Sequence, residues 1–299
     1  MKIKSENSLR ESTGSIEMLV IDLTQIRDVL QAALQEDIGT GDITSRATIP
    51  ESATAIARYT TKQALSVSGL PVAAELIRMV DSKLKFKAQS ADGDYVETGT
   101  VIAEMTGSAR SILAVERVTL NLLQRMCGIA TLTRHYVDRV RGTKARVIDT
   151  RKTALGLRLL DKYAVACGGG TNHRIGLFDA VLIKNNHLIF HKSLTETLAE
   201  ARRNLAPSVK LEVEVTSMEQ LEEAITAKAD VILLDNFTPD QTRHAVIQCG
   251  GRVPLESSGG ITLDNIRDYA VAGVDRISVG ALTHSVVAAD IHLRVTPGV

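Results

Sequence analysis

From about residue 145 onward the chain repeats one pattern, a short run of Val, Ile and Leu followed by a stretch with helical spacing. The runs fall at residues 147–149, 180–184, 211–215, 231–235, 253–256 and 276–280. The later ones recur about every 20 to 25 residues, the length of a strand-plus-helix unit. Near-continuous apolar runs mark parallel strands covered on both faces. Six such strands, with room for one or two more, form either an α/β barrel or an open doubly wound sheet. Polar residues and glycines follow nearly every run. In a barrel those strand ends form one circle, whereas in an open sheet they divide around a single crevice. The concentration of chemistry at the ends selects an incomplete (β/α) barrel over residues 129–299.

The region before it has a different rhythm. Residues 19–128 open with a helical pattern at Ile26, Leu30, Ala33 and Leu34, for which Thr24 is a candidate cap. An ordered polar turn follows at residues 36–44. Short alternating runs at 54–61, 84–88 and 101–105 read as strands, and Pro71 opens a short helix through Val80. This is an α+β pattern with antiparallel pairing, expected to form an N-terminal α/β sandwich domain. A helical stretch over residues 111–140 bridges to the barrel, with Leu120, Leu123 and Cys127 on one face and Gly128 as a bend or a stop. Residues 1–18 are polar, lack an apolar signal core, and read as a loose tail.

Composition narrows the function. The 35 basic and 35 acidic side chains leave no formal net charge, so a nucleic-acid partner, which needs a basic surplus, is not expected. Any anionic ligand must be held by a local cluster of cations. Cys127, Cys167 and Cys249 lie far apart, without zinc spacing, and read as buried thiols in a reducing cytoplasm. No stretch approaches the ~20 apolar residues that span a bilayer.

The residues at the strand ends separate by charge. Arg151, Lys152, Arg174 and Lys184, with His173, make a basic pocket. Glu214 and Asp235 are an acidic pair on neighbouring strands. Ser258, Gly259 and Gly260, and again Val279, Gly280 and Ala281, are small residues whose backbone N–H groups can approach an anion. The implied ligand carries several anionic groups and a divalent cation. Mg²⁺ prefers a few carboxylates plus ligand phosphates, which suits Glu214 and Asp235.

The same residues resemble a known family. Asp149 through Thr153, Gly168 through Arg174, Leu182 through His187, Glu212 through Val215, Leu234 through Asn236 and Glu256 through Ile261 are similar to the active-site segments of quinolinate phosphoribosyltransferases. Glu36-Asp37 with Gly41 through Thr44, and Glu116-Arg117 with Asn121, resemble that family's opening and bridging helix. The resemblance covers the chain from about Leu19. It implies a homodimer, or a larger assembly, that joins quinolinate to 5-phosphoribosyl 1-pyrophosphate (PRPP) and releases carbon dioxide and pyrophosphate, giving nicotinate mononucleotide for NAD synthesis. It implies that Arg151 and Arg174 hold the two carboxylates, with His173 and Lys184 beside them, and that Arg117 comes from the other subunit. Thr150 joins the substrate-binding set. Lys152, with Mg²⁺ near Glu214 and Asp235, would neutralise pyrophosphate, and Lys152, Lys184, Glu214 and Asp235 form the implied catalytic set. The two glycine loops would seat the ribose 5-phosphate. Three rivals are a salvage enzyme acting on nicotinate, a Schiff-base aldolase using Lys184, and a silent sensor of phosphoribosyl metabolites. The number of cations favours a diacid over the first, and the phosphate-like loops favour two anionic substrates over the second.

Overall fold

In a computed structural model the described residues run from Ile21 to Gly298, so the tail at 1–18 lies outside them. The first half contains α1 (Arg27–Ile38), α2 (Ile43–Thr48), β1 (Thr54–Thr61), β2 (Leu65–Ser66), α3 (Leu70–Val80), β3 (Lys85–Ala88), β4 (Tyr95–Val96), β5 (Val101–Ser108) and α4 (Ala109–Val140). Strand β1 shows the period of two that a half-covered sheet imposes. Ala55, Ala57, Tyr59 and Thr61 are buried, while Thr54 and Arg58 are exposed. On the wet face Arg58 pairs with Glu104 across the strands at 2.8 Å.

The second half contains β6 (Arg146–Ile148), α5 (Arg158–Cys167), β7 (Val181–Ile183), α6 (Asn185–Leu188), α7 (Leu194–Asn204), β8 (Leu211–Val215), α8 (Met218–Thr226), β9 (Val231–Asp235), α9 (Pro239–Cys249), β10 (Leu255–Ser258), α10 (Ile266–Ala272), β11 (Arg276–Ser278), α11 (Ala281–His284) and β12 (Ile291–Pro297). Six of these strands form one parallel sheet in the order β6-β11-β10-β9-β8-β7. The first strand pairs with the last, Val147 opposite Ile277, and every other neighbour is consecutive in the chain. That order curls a sheet into a barrel. The ring lacks strands between β6 and β7, where a single residue, Thr171, bridges to Ile148. The incomplete barrel expected from the sequence is the architecture found.

Alternation along these strands separates two environments. Val147, Ile183, Leu211, Val213, Val215, Ile232, Leu234, Leu255 and Ile277 join the apolar core under the helices. The intervening positions, Lys184, Glu214, Asp235, Glu256, Ser258 and Ser278 among them, face the barrel's interior. Ser193, Ser217 and Thr238 cap α7, α8 and α9 by accepting backbone N–H bonds.

Several expectations need correction. The last strand belongs to the first region. β12 pairs antiparallel with β1, giving the sheet β12-β1-β5-β3, so the barrel's own chain ends before Ile291 and not at residue 299. Without β12, β1 would be an edge strand with unpaired backbone groups, and β12 pairs with them. Helix α4 runs unbroken through Gly128. A Cβ there would stand 2.3 Å from the Val287 carbonyl oxygen, so the glycine permits a close backbone approach and makes no bend. The helix after β6 begins only at Arg158. Gly156 takes a positive φ of 76°, and Leu155 is 96% exposed. The opening turn is capped by Asp22, which accepts from the Thr24 N–H, so Thr24 is not the cap. Before α10 the Thr262 N–H donates to Asn265 Oδ1 at 2.8 Å.

Gly128→Ala is expected to destabilise the protein by about 1–3 kcal/mol, the usual cost of overpacking a closed contact. Urea denaturation reads this as a lower midpoint at constant slope. An unchanged midpoint would mean that the segment around Val287 yields freely.

Candidate active site

The strand ends open into a cavity of about 690 Å³. One side is basic, with Arg151 and Lys152 from the β6 loop, His173 and Arg174 from the loop after α5, and Lys184 at the end of β7. Thr150 lies beside them. Glu214 and Asp235 stand on adjacent strands in the middle. Ser258, Gly259 and Gly260, with Val279, Gly280 and Ala281, line the opposite side. Arg117 is placed elsewhere, exposed on α4 and outside this cavity.

The basic side is held from behind. Arg158 on α5 donates to Thr153 Oγ1 and to the carbonyls of Ile175 and Arg151 at 3.1 to 3.3 Å, joining the two loops that carry the arginines. Arg125 on α4 makes a two-pronged pair with buried Asp161, both bonds 2.8 Å, and Asp161 also accepts the Ala154 N–H. Deeper still, Lys162 donates to Asp149, and both side chains are almost fully buried. Burial works against charge on each partner, raising the Asp149 pKa and lowering that of Lys162, and their mutual attraction offsets part of it. The pair grips the next loop. Asp149 accepts the His173 N–H at 2.9 Å and Lys162 donates to the His173 carbonyl at 3.0 Å. Asn172, in the amide orientation its neighbours require, donates to Asp149 as well.

With its backbone so fixed, Arg174 donates to the Ala180 carbonyl at 3.1 Å. Burial, then the neighbouring Arg151 charge, lowers its pKa. Arg151 Nε is buried without a hydrogen-bond partner among the described residues. Two guanidinium groups crowded together, with donors to spare, constitute a site for an anion that accepts from both. Neither His173 nitrogen is spare. Nδ1 accepts the Arg174 N–H at 2.7 Å and Nε2 faces Glu212 at 3.2 Å.

Lys184 Nζ lies 3.1 Å from Glu214 Oε2. The Asp235 pKa is raised, first by burial and then by the Glu214 charge, with Lys184 and Lys152 partly opposing. A carboxylate pair in this condition gains from a cation placed between its members. Opposite it, Gly259 has a φ of 93°, and a Cβ there would stand 2.2 Å from Asn236 Oδ1. Only a glycine fits that turn.

The sequence singled out the rim and missed what supports it. Glu256 and His284 reach the cavity too. Glu212 and Glu256 sit two residues before Glu214 and Ser258, so strand alternation was a signal for both. Lys162 carried no such signal, since a lysine on an amphipathic helix reads as solvated.

A basic anion clamp, a carboxylate pair and a glycine cradle on one barrel mouth define an α/β-barrel enzyme built for two anionic substrates. Family models give it a narrower place. Residues 129–294 match "Quinolinate phosphoribosyl transferase, C-terminal domain", and residues 42–127 match the N-terminal domain of the same name. The chain belongs to the quinolinate phosphoribosyl transferase family. It is 42% identical over 272 residues, 91% of this chain and 94% of the relative, to a probable carboxylating nicotinate-nucleotide pyrophosphorylase of Bacillus subtilis. A Mycobacterium leprae protein named nicotinate-nucleotide pyrophosphorylase (carboxylating) is 43% identical, covering 89% of this chain and 96% of its own. The solved nicotinate-nucleotide pyrophosphorylase of Francisella tularensis superposes with a TM-score of 0.88 at 38% identity, over 95% of this chain and all of that one.

Lys162→Met is expected to cost about 3–5 kcal/mol, because it strands the Asp149 charge in the interior. Thermal or urea unfolding measures it. A loss below about 1 kcal/mol would mean that water reaches the pair.

Proposed function

We propose that this chain transfers the phosphoribosyl group of PRPP to quinolinate with loss of carbon dioxide, giving nicotinate mononucleotide and pyrophosphate for NAD synthesis. The observation that carries this is the crowding of Arg151 and Arg174, with Lys184 near, at one end of a cavity whose other side is a glycine cradle. Two adjacent carboxylates need two forks, and a pyridine with a single carboxylate would leave one guanidinium stranded.

Catalysis here is alignment and charge placement. Arg151 and Arg174 hold the diacid so that its ring nitrogen faces the anomeric carbon. Ser258 through Gly260 and Val279 through Ala281 seat the 5-phosphate through backbone N–H groups, and Thr150 lines the space between. Lys152 offers its ammonium to the departing pyrophosphate. Lys184, already paired with Glu214, places a cation near the diacid. Glu214 and Asp235 fit a Mg²⁺ ion, because the charge that raises the Asp235 pKa is the charge a cation would neutralise. Held by these two carboxylates together with PRPP, such an ion would supply positive charge to the leaving pyrophosphate. Once ribosylated, the ring nitrogen is cationic and stabilises the electron pair that stays on the adjacent carbon as carbon dioxide departs, and a proton from water then takes that pair.

Arg117 completes the site from a second subunit in this reading. It is exposed on α4 and outside its own cavity. Leu155, Leu177, Phe178, Ile189 and Phe190 are all exposed on the segments that follow β6, α5 and α6. Such an apolar rim favours a partner, and a homodimer supplies both the cover and the arginine. The three cysteines are free and buried, which supports work in the cytoplasm, and no described helix is long and apolar enough to cross a membrane.

Pyrophosphate release should be seen with quinolinate and not with nicotinate, and Arg151→Ala should lower quinolinate turnover at least about a hundredfold, the cost of a charge-assisted bidentate contact. Equal turnover of both pyridines would end the diacid reading. For the dimer, Arg117→Ala and Arg151→Ala subunits, each inactive alone, should regain about a quarter of parental activity when refolded together, since a mixed dimer holds one whole site. No recovery would mean that Arg117 serves its own chain.

A further inference from the structure

Beneath the arginine arm, Glu256 on β10 is fully buried, and neither carboxylate oxygen has a hydrogen-bond partner among the described residues. Glu212 on β8, also buried, leaves Oε1 without one. His173 Nε2 stands 3.2 Å from Glu212 Oε2 and 3.8 Å from Glu256 Oε2. One donor or acceptor atom from each of the three lies within 4.8 Å of the others. Such a cluster holds either a metal ion or a proton.

The imidazole decides between them. Its Nδ1 lone pair is occupied by the Arg174 N–H, so the proton of a neutral ring sits on Nε2 and points at Glu212. A protonated nitrogen does not ligate a metal. Burial disfavours charge on the ring, and the two glutamates overcome it and raise the His173 pKa; yet a second proton would sit on Nδ1, against the Arg174 N–H. The cluster is therefore one N–H donor and two carboxyl groups. Two carboxyls in a dry pocket do not both ionise. Glu212 has the imidazole donor, whereas the hydroxyl beside Glu256, that of Ser278, is directed at the Ser257 carbonyl, and so Glu256 is the one left to carry a proton.

We propose that Glu256 is a positioning residue, a neutral carboxyl that donates to Glu212, so that Glu212 accepts from His173 and keeps the arm bearing Arg174 at the basic end of the cavity. This extends the proposed function, because the arm's task is to hold the diacid. The groups facing Glu256 are consistent with it. β8 contributes Glu212 and the loop after α5 contributes His173. β11 contributes Arg276, opposite Glu256 in register, and the Ser278 hydroxyl, while β9 contributes apolar Leu233. Burial and then the Glu212 charge outweigh the His173 and Arg276 charges and push the Glu256 carboxyl up to about 8. Above that pH two negative charges meet beneath the arm and separate.

The test is steady-state kinetics from about pH 6 to about pH 9.5 on the parent, Glu256→Gln and Glu256→Ala, with melting temperatures over the same range without substrate. The parent KM for quinolinate should rise above about pH 8 while that for PRPP does not follow. A glutamine amide donates without titrating, so Glu256→Gln should keep the neutral-pH KM within about twofold and flatten the rise. Glu256→Ala should raise that KM at least about tenfold. A buried acid whose pKa is raised stabilises the fold fully below the ordinary carboxyl range and loses that contribution as pH climbs toward 8. The parent should therefore melt progressively lower over that window, and Glu256→Gln should not share the fall. The proposal is overturned if Glu256→Gln is as impaired as Glu256→Ala at neutral pH. It is equally overturned if Glu256→Gln shows the parent's alkaline rise, or if the purified parent holds a stoichiometric metal that Glu256→Gln has lost. A parent that releases no pyrophosphate with quinolinate sinks the functional reading instead, and the melting comparison then decides the buried proton by itself.

Discussion

A β-strand sends alternate side chains to opposite faces, and closing a sheet into a ring turns those faces into an inside and an outside. Nearly everything about this protein follows from that partition. Outward positions such as Leu211, Val213 and Val215 meet the helices and build the core. Inward positions cannot all be apolar if the barrel is to have a use, and here they carry Lys184, Glu214, Asp235 and Glu256. Glu214, Asp235 and Glu256 lie on strands paired on both sides, and Lys184 follows the edge strand β7, which pairs with β8, so geometry at the mouth is inherited from the sheet.

That inheritance has an electrostatic cost, and the structure offsets it locally. Arg151 and Arg174 repel, Glu214 and Asp235 repel, and Glu212 and Glu256 repel. The three like-charged pairs lie within one cavity or just under it. In the proposed reaction, a diacid would bring carboxylates to the first pair, and PRPP with a cation would neutralise the second, removing the strain that assembling the site creates. The third pair is buried beneath the first, and in our proposal a proton relieves it. The backbone grip of Asp149 and Lys162 on His173 keeps the first pair from relaxing by moving apart.

How much of this was legible in the sequence depended on distance along the chain. Short apolar runs, each followed by its polar residues, are local signals, and they located the barrel and its rim. The supports were not local. Lys162 lies on a helix, and only the fold shows that it points inward to Asp149. Gly128 resembled a helix breaker because the segment that presses on it is more than a hundred residues away. The alternation of Ile291, Leu293 and Val295 is visible in the sequence, yet a single isolated strand says nothing about which sheet will take it. Arg117 entered through resemblance alone, and its exposed place on α4 gives that resemblance a physical context.

The partner of β1 arrives after the barrel. Residues near position 55 pair with residues near position 297, so the sheet of the first region is closed by residues that follow the barrel in the chain. The two regions are thus not beads on a string, each maturing as it leaves the ribosome. The earlier one must wait with an open flank while the entire barrel is synthesised, and this long-range closure, high in contact order, belongs among the slow events of folding.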